Sequence, residues 1–331
     1  MDLPTLWFII IAFFWTGYFI LEGFDFGVGG LLFVLGKTPR TRAAMIKTIG
    51  PVWDGNEVWL IVAAGATFAA FPAWYATLFS AFYLPMLAIL VTIIIRAVGL
   101  EYRNKRTDPT WQYRWDLAIA IGSVATAFAW GFVFANLTTG IAIDATGNYA
   151  AGTLDLVNPY ALLGGAVTLT LFLTHGAVFL ALKTTGALRE QAAAIATRIG
   201  IVAAVTTVAF LTWTVLKHRD TTATILAGLA VTAFLLALWA NHRRREGIAF
   251  TATTVTIAAA VSALFFALFP NVLPSSLHPD WHLTIADTAS SPYTLQIMTI
   301  VAAVITPVVL LYQGWTYWVF RKRVTAEPVT E

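Results

Sequence analysis

Apolar residues come in long unbroken runs, and the charged residues collect in short clusters between them. Nine runs stand out, near 6–35, 48–71, 74–100, 115–138, 157–182, 192–216, 221–241, 247–269 and 294–320. Each approaches or exceeds the roughly 20 residues a helix needs to cross a hydrocarbon core of about 30 Å. A closed barrel would instead show short alternating strands. The pattern therefore predicts an all-α integral membrane protein with nine transmembrane helices. No linker rich in Gly, Ser or Pro divides the chain, so residues 1–331 read as one transmembrane helical domain with two longer polar loops, 139–156 and 270–293. The first and fifth runs each carry a polar residue followed by glycine, Glu22-Gly23 and His175-Gly176, a weak trace of a four-plus-four helix repeat followed by a final helix.

Composition agrees with this reading: 59% of residues are hydrophobic and only 11% are charged, against about 25% charged in soluble domains. The net charge of +3 would point to nucleic acid in a soluble protein, but here the positions of the charges carry the information, and no nucleic-acid partner is expected. Seventeen of the 20 Lys and Arg fall at 36–47, 101–114, 183–198, 242–246 and 321–323, which all lie on one side of a nine-span chain. The positive-inside rule then places the N-terminus outside and the C-terminus in the cytoplasm. The first charge is Asp2 and the first run exceeds signal-peptide length, so the first helix is expected to stay. The absence of cysteine excludes disulfides, thiolate metal sites and iron-sulfur clusters.

The chemistry lies in the charges within the first three runs: Glu22 and Asp25, Asp54 and Glu57, and Arg96. Both acid pairs have i, i+3 spacing, which places each pair on one helix face. A lone charge at the bilayer centre costs about 2.5–3.5 kcal/mol, so four facing lipid would cost about 10–14 kcal/mol, comparable to the stability of a whole domain. The acids are therefore expected to face the bundle interior. One arginine does not balance four carboxylates, and a share of them is expected to be protonated at neutral pH, as proton carriers on the inner half of the membrane. The competing reading makes Glu57 a helix cap and Arg96 a snorkelling residue. The glycines of "GFDFGVGG" (Gly23, Gly27, Gly30) suit close helix packing; no strand precedes them, as a nucleotide loop would require.

Haem ligation from this chain is not expected. Histidines 218, 242, 278 and 282 fall in loops or at helix ends, and the one in mid-helix, His175, reads as a hydrogen-bonded packing residue. His278 and His282 in "LHPDWH" have metal-like spacing, but Pro279 disfavours a helix and no third ligand is evident, so no metal site is expected. Trp7, Trp74, Trp111, Trp115, Trp239 and Trp318 sit near run ends as an aromatic belt.

"LEGFDFGVG" and "GPVWDGNEVWLI" together resemble the signature of subunit II of the cytochrome bd-type quinol oxidases. The likeness continues through "IIIRAVGLEYR", "FPNVLPSS", "LTIADTASSPYTLQIM" and "LLYQGWTYW", in order along the whole chain. It implies a nine-helix, haem-free subunit in a bacterial cytoplasmic membrane. Its partner is a homologous subunit I that carries the quinol site, two haems b and one haem d. The implied complex oxidises quinol from the membrane pool and reduces dioxygen to water, taking protons from the cytoplasm and separating charge without pumping. By the same resemblance Asp25 and Asp54 fall on acids of the proton route, and Arg96 matches an arginine at the inner end of helix three. Glu22 and Glu57 stand where relatives have Asp and Gln. Small single-helix accessory subunits, and a quinone or lipid lodged in this subunit, are left open. A proton-coupled secondary transporter is the alternative from another class; it would need discontinuous helices in both halves and a midplane substrate site.

Overall fold

The computed structural model describes residues 2–325. The helices are α1 (Leu3–Gly30), α2 (Leu32–Leu35), α3 (Pro39–Ile49), α4 (Trp53–Ala70), α5 (Pro72–Ala81), α6 (Tyr83–Tyr102) and α7 (Pro109–Thr139). They continue as α8 (Pro159–Lys183), α9 (Gly186–His218), α10 (Thr221–His242), α11 (Glu246–Leu268), α12 (Ile285–Thr288) and α13 (Pro292–Val319). Many starts follow from local sequence: Asp2, Thr38, Asp108, Asn158, Asp220 and Ser291 cap orphan N–H groups, and several are followed by a proline in the first turn.

Among the described residues, eight helices are long and apolar enough to cross a membrane: α1, α6 with the turn that follows it, α7 to α11, and α13. The run expected at 48–71 is α4, whose 18 residues open with Asp54, Asn56 and Glu57 and so fall short in hydropathy. The run expected at 74–100 is two helices. α5 ends at Ala81 and α6 starts at Tyr83 because Pro85 has no N–H for the Ala81 carbonyl and its ring crowds that group. The polar segment 36–47 forms most of a helix of its own, α3, which runs on to Ile49, and α9 begins within the segment expected as a loop at 183–198.

α1 is the central helix, packed against α4, α7, α8, α11 and α13. Where it crosses α8, Gly27 and Gly176 face each other backbone to backbone, and a Cβ on either would overlap the other helix. Trp15, Tyr18, Phe19, Trp130, Phe134 and Phe172 fill the core beside this crossing with edge-to-face and tilted aromatic pairs. α13 is different: Leu295 is its only fully buried residue. Polar pins hold it. The Trp7 indole donates to Leu295 O (3.2 Å) and Thr299 Oγ1 (3.0 Å) near one end, and the Lys183 ammonium donates to the carbonyls of Phe320 and Lys322 at the other.

The basic segments meet at one end of the bundle. Asp116 is buried there between Arg42 (2.7 Å) and Arg103 (2.5 Å), tying α3, the turn after α6 and α7 together, and Glu246 holds Arg189 and Arg323. At the other end the two longer loops interlock. β1 (Asn271–Leu273) pairs antiparallel with β2 (Leu283–Thr284), and Ile141 bridges to Ser275. Asp144 closes its own turn by accepting from the Thr146 hydroxyl and from the N–H groups of Asn148 and Thr146, which hold its carboxyl below the ordinary 3.8.

Candidate functional site

Glu22 and Asp25 lie one turn apart on the central helix, so both face protein and both are fully buried. The residues around them come from three other helices: Asn56, Glu57 and Trp59 of α4, Arg96 of α6, and Gln313 and Tyr317 of α13. Asp25, Asn56, Arg96 and Gln313 each lie three to six residues from the end of their helix at the basic pole, within about 10 Å along the axis.

Asn56 is the hub. Its Nδ2 donates to Asp25 Oδ2 (2.7 Å) and, at 3.5 Å, to Leu21 O; its Oδ1 accepts from the Tyr317 hydroxyl (2.7 Å) and Gln313 Nε2 (3.0 Å). Gln313 Oε1 in turn accepts from the Trp59 indole N–H (2.6 Å). Arg96 Nη1 stands 3.1 Å from Glu22 Oε2, with both side chains buried, and the guanidinium lies over the Phe26 ring at 4.8 Å from its centroid. The distance is that of an ion pair, yet the angles are not those of a hydrogen bond, and all three guanidinium nitrogens and both Glu22 oxygens are left without a partner. Asp25 Oδ1 and Glu57 Oε1 are unpartnered too. Seven of the twelve such buried atoms found among the described residues therefore belong to this one cluster. Each would cost about 1–3 kcal/mol if left unsatisfied, so the concentration marks a place whose hydrogen-bonding capacity suits ordered water.

The four predicted acids are not equivalent. Glu22 and Asp25 are enclosed, Glu57 is half-buried within Coulombic range of Arg96, and Asp54 is exposed on the first turn of α4, next to Glu57. The expectation that the second pair shares one interior face is thus met by Glu57 only in part and by Asp54 not at all, because the face of α4 turned to α1 is set by Trp53, Asn56, Trp59 and Ala63. Arg96, read as either a snorkelling or an inward residue, is inward. Asn56, Trp59, Gln313 and Tyr317 were not singled out by the sequence reading. Their signals are an amide beside two acids, Asn56, and a glutamine near the end of a long apolar helix, Gln313.

The histidines do not converge. His175 commits Nδ1 to Thr253 Oγ1 (2.6 Å) and Nε2 to Ile20 O (3.2 Å) and stacks on Phe250, so its ring is a packing element without a free nitrogen for an axial bond. In "LHPDWH", His282 Nδ1 accepts from the Ser275 N–H and His278 Nδ1 from the Asp280 N–H. Among the described residues no group of three His, Cys, Asp or Glu is placed to hold a metal ion.

An all-helical, multi-pass membrane protein with a buried carboxylate, arginine and amide cluster at its basic end is the class that this fold and site define. Residues 3–320 match the family cytochrome bd terminal oxidase subunit II, and the chain belongs to that family. It is 40% identical to the cytochrome bd ubiquinol oxidase subunit 2 of Bacillus subtilis, with 99% of each chain covered. It is 32% identical to the cytochrome bd-I ubiquinol oxidase subunit 2 of Escherichia coli K12, over 99% of this chain and 96% of that one. A chain of the bd oxidase structure from Geobacillus thermodenitrificans shares the fold, with a TM-score of 0.78 at 20% identity, over 96% of this chain and 97% of that one.

Proposed function

We propose that this chain is the haem-free subunit II of a bd-type terminal quinol oxidase, the complex that couples quinol oxidation to reduction of dioxygen to water. In this reading it crosses a bacterial cytoplasmic membrane nine times, α4 and the α5–α6 pair supplying the second and third spans, with the N-terminus outside. It stabilises a subunit I that carries two haems b and one haem d, and conducts cytoplasmic protons toward them. The ring of His175 is committed on both nitrogens, which supports the haem-free reading. Family membership and the similarity to cytochrome bd ubiquinol oxidase subunit 2 chains support the oxidase assignment.

One observation supports the proton role: the acids form a graded series at the basic end. Asp54 is exposed, Glu57 half-buried, and Glu22 and Asp25 enclosed beside Arg96, with seven polar atoms left over for water. A proton entering at Asp54 meets Glu57 next and then the inner pair. The exposed face of α4 that carries Asp54 is in this reading covered by subunit I, which removes it from lipid. A secondary transporter is not favoured: the α5–α6 break lies in the first half, and the charged cluster sits near the basic end of the bundle.

The test is oxygen consumption by the purified complex carrying Asp25→Asn or Asp54→Asn. Each is expected to slow turnover at least tenfold while haem spectra and subunit I content stay native. Native turnover in both variants would remove the proton role, and loss of haem would leave only a role in assembly.

A further inference from the structure

The direction of the side-chain hydrogen bonds from Trp59 through Gln313 and Asn56 to Asp25 follows from one group. The Trp59 indole N–H donates and does not accept, so the atom of Gln313 that faces it at 2.6 Å is the amide oxygen. Gln313 Nε2 must then face Asn56, and the atom it meets at 3.0 Å is the Asn56 oxygen, whose second lone pair takes the Tyr317 hydroxyl at 2.7 Å. The Asn56 NH2 group is left facing Asp25, where it meets Oδ2 at 2.7 Å. Turning either amide over sets two donors against each other at buried or half-buried sites, which forfeits a bond and leaves polar groups unpaired.

We propose that Trp59 sets the direction of a hydrogen-bond chain through Gln313 and Asn56 into Asp25, and so fixes Oδ1 as the carboxyl oxygen that takes up and releases the proton. Oδ2 faces an amide that only donates, so it is a standing acceptor whether the carboxyl is charged or neutral. Oδ1 is buried and has no protein partner, which leaves it to exchange its proton with ordered water in the cluster. The proton that arrives at Oδ1 leaves from Oδ1, no electrons move, and the carboxyl does not have to rotate between turnovers. The charged and titratable groups that face Asp25 are Glu22 on its own helix, Glu57 on α4, Arg96 on α6 and Tyr317 on α13. None of these titratable groups supplies the polarity that the indole imposes; the Leu21 carbonyl favours the same Asn56 orientation, but at 3.5 Å it is at the limit of a hydrogen bond. Trp59, Gln313 and Asn56 are positioning residues, and they give α13, which buries little else, a defined part in the site.

The proposal rests on the proton role of Asp25, and the experiment separates the two. Infrared difference spectra of the purified complex, with turnover and haem content measured in parallel, are compared for the native protein, Asp25→Asn, Trp59→Phe and Gln313→Leu. Asp25→Asn identifies the carbonyl band of protonated Asp25 by abolishing it. Trp59→Phe and Gln313→Leu, which remove the anchor and the link, are expected to move that band to higher wavenumber as Oδ2 loses its fixed donor. They are also expected to slow turnover about tenfold, the size of one hydrogen bond to a charged group, with haem spectra unchanged. If one of the two variants loses haem, the other decides. A native band position and native turnover in the haem-replete variants, with Asp25→Asn still slow, overturn the directed chain and leave the proton role standing. Native turnover in Asp25→Asn instead overturns the role itself, and a shifted band in Trp59→Phe would then show polarity without a route.

Discussion

Arg96 is the residue on which the interior cluster depends electrostatically. Its guanidinium is fully buried, 3.1 Å from Glu22 and over the ring of Phe26, with no hydrogen bond to protein. Arg96→Leu alone leaves the acids without their cation and is expected to destabilise the complex by about 3–5 kcal/mol, while the double variant with Glu22→Gln recovers most of the loss. Thermal unfolding of the four members of that cycle measures the coupling, and strictly additive effects would remove the pair. The four acids and the arginine were legible in the sequence because a charge inside an apolar run is costly wherever it points. The uncharged half of the site was not. Asn56, Gln313 and Tyr317 cost far less in a helix than an acid does, and what makes them functional candidates is a meeting of α4 and α13 that no local pattern reports.

Between elements, the site exists because α1 comes close enough to α8 to occupy the middle of the bundle. At Gly27 and Gly176 each backbone fills the space a side chain would need. Gly176→Val is expected to force α1 away from α8, displace Glu22 and Asp25 and cost about 1–3 kcal/mol or more through overpacking. Gly228→Ala, where a Cβ meets nothing within 4 Å, is expected to be neutral or stabilising by up to about 1 kcal/mol. Denaturation midpoints of the two variants should diverge, and equal midpoints would remove the crossing from the account. The glycine spacing on α1 announced close packing, but its partner Gly176 lies some 150 positions away and only the fold pairs them. Run lengths located the long helices within a few residues for the same reason: lipid imposes length. Pro85 and the polar opening of α4 were visible as residues, yet a hydropathy run passes over both, so the split at Phe82 and the short α4 were hidden.

Across the whole molecule, charge and shape agree on two different ends. One holds Asp116 between two arginines, Glu246 with its two, and the nearer ends of the helices that build the carboxylate cluster. The other holds the interlocked loops around β1 and β2 and carries few basic residues. In the proposed reading the positive-inside rule acts on this asymmetry during insertion and puts the basic end in the cytoplasm, which would open the acids toward the phase that supplies protons. The absence of native cysteine makes that orientation directly measurable. Lys105 and Ala145 are exposed at opposite ends. In intact cells lacking their outer wall, Ala145→Cys is expected to react with a membrane-impermeant maleimide, and Lys105→Cys to react only after the membrane is opened. The reverse pattern would put Asp54 and its neighbours on the outer side. Protons would then have to reach them from the wrong phase, and the cluster would have to be read as a fixed structural pairing instead of an entry for protons.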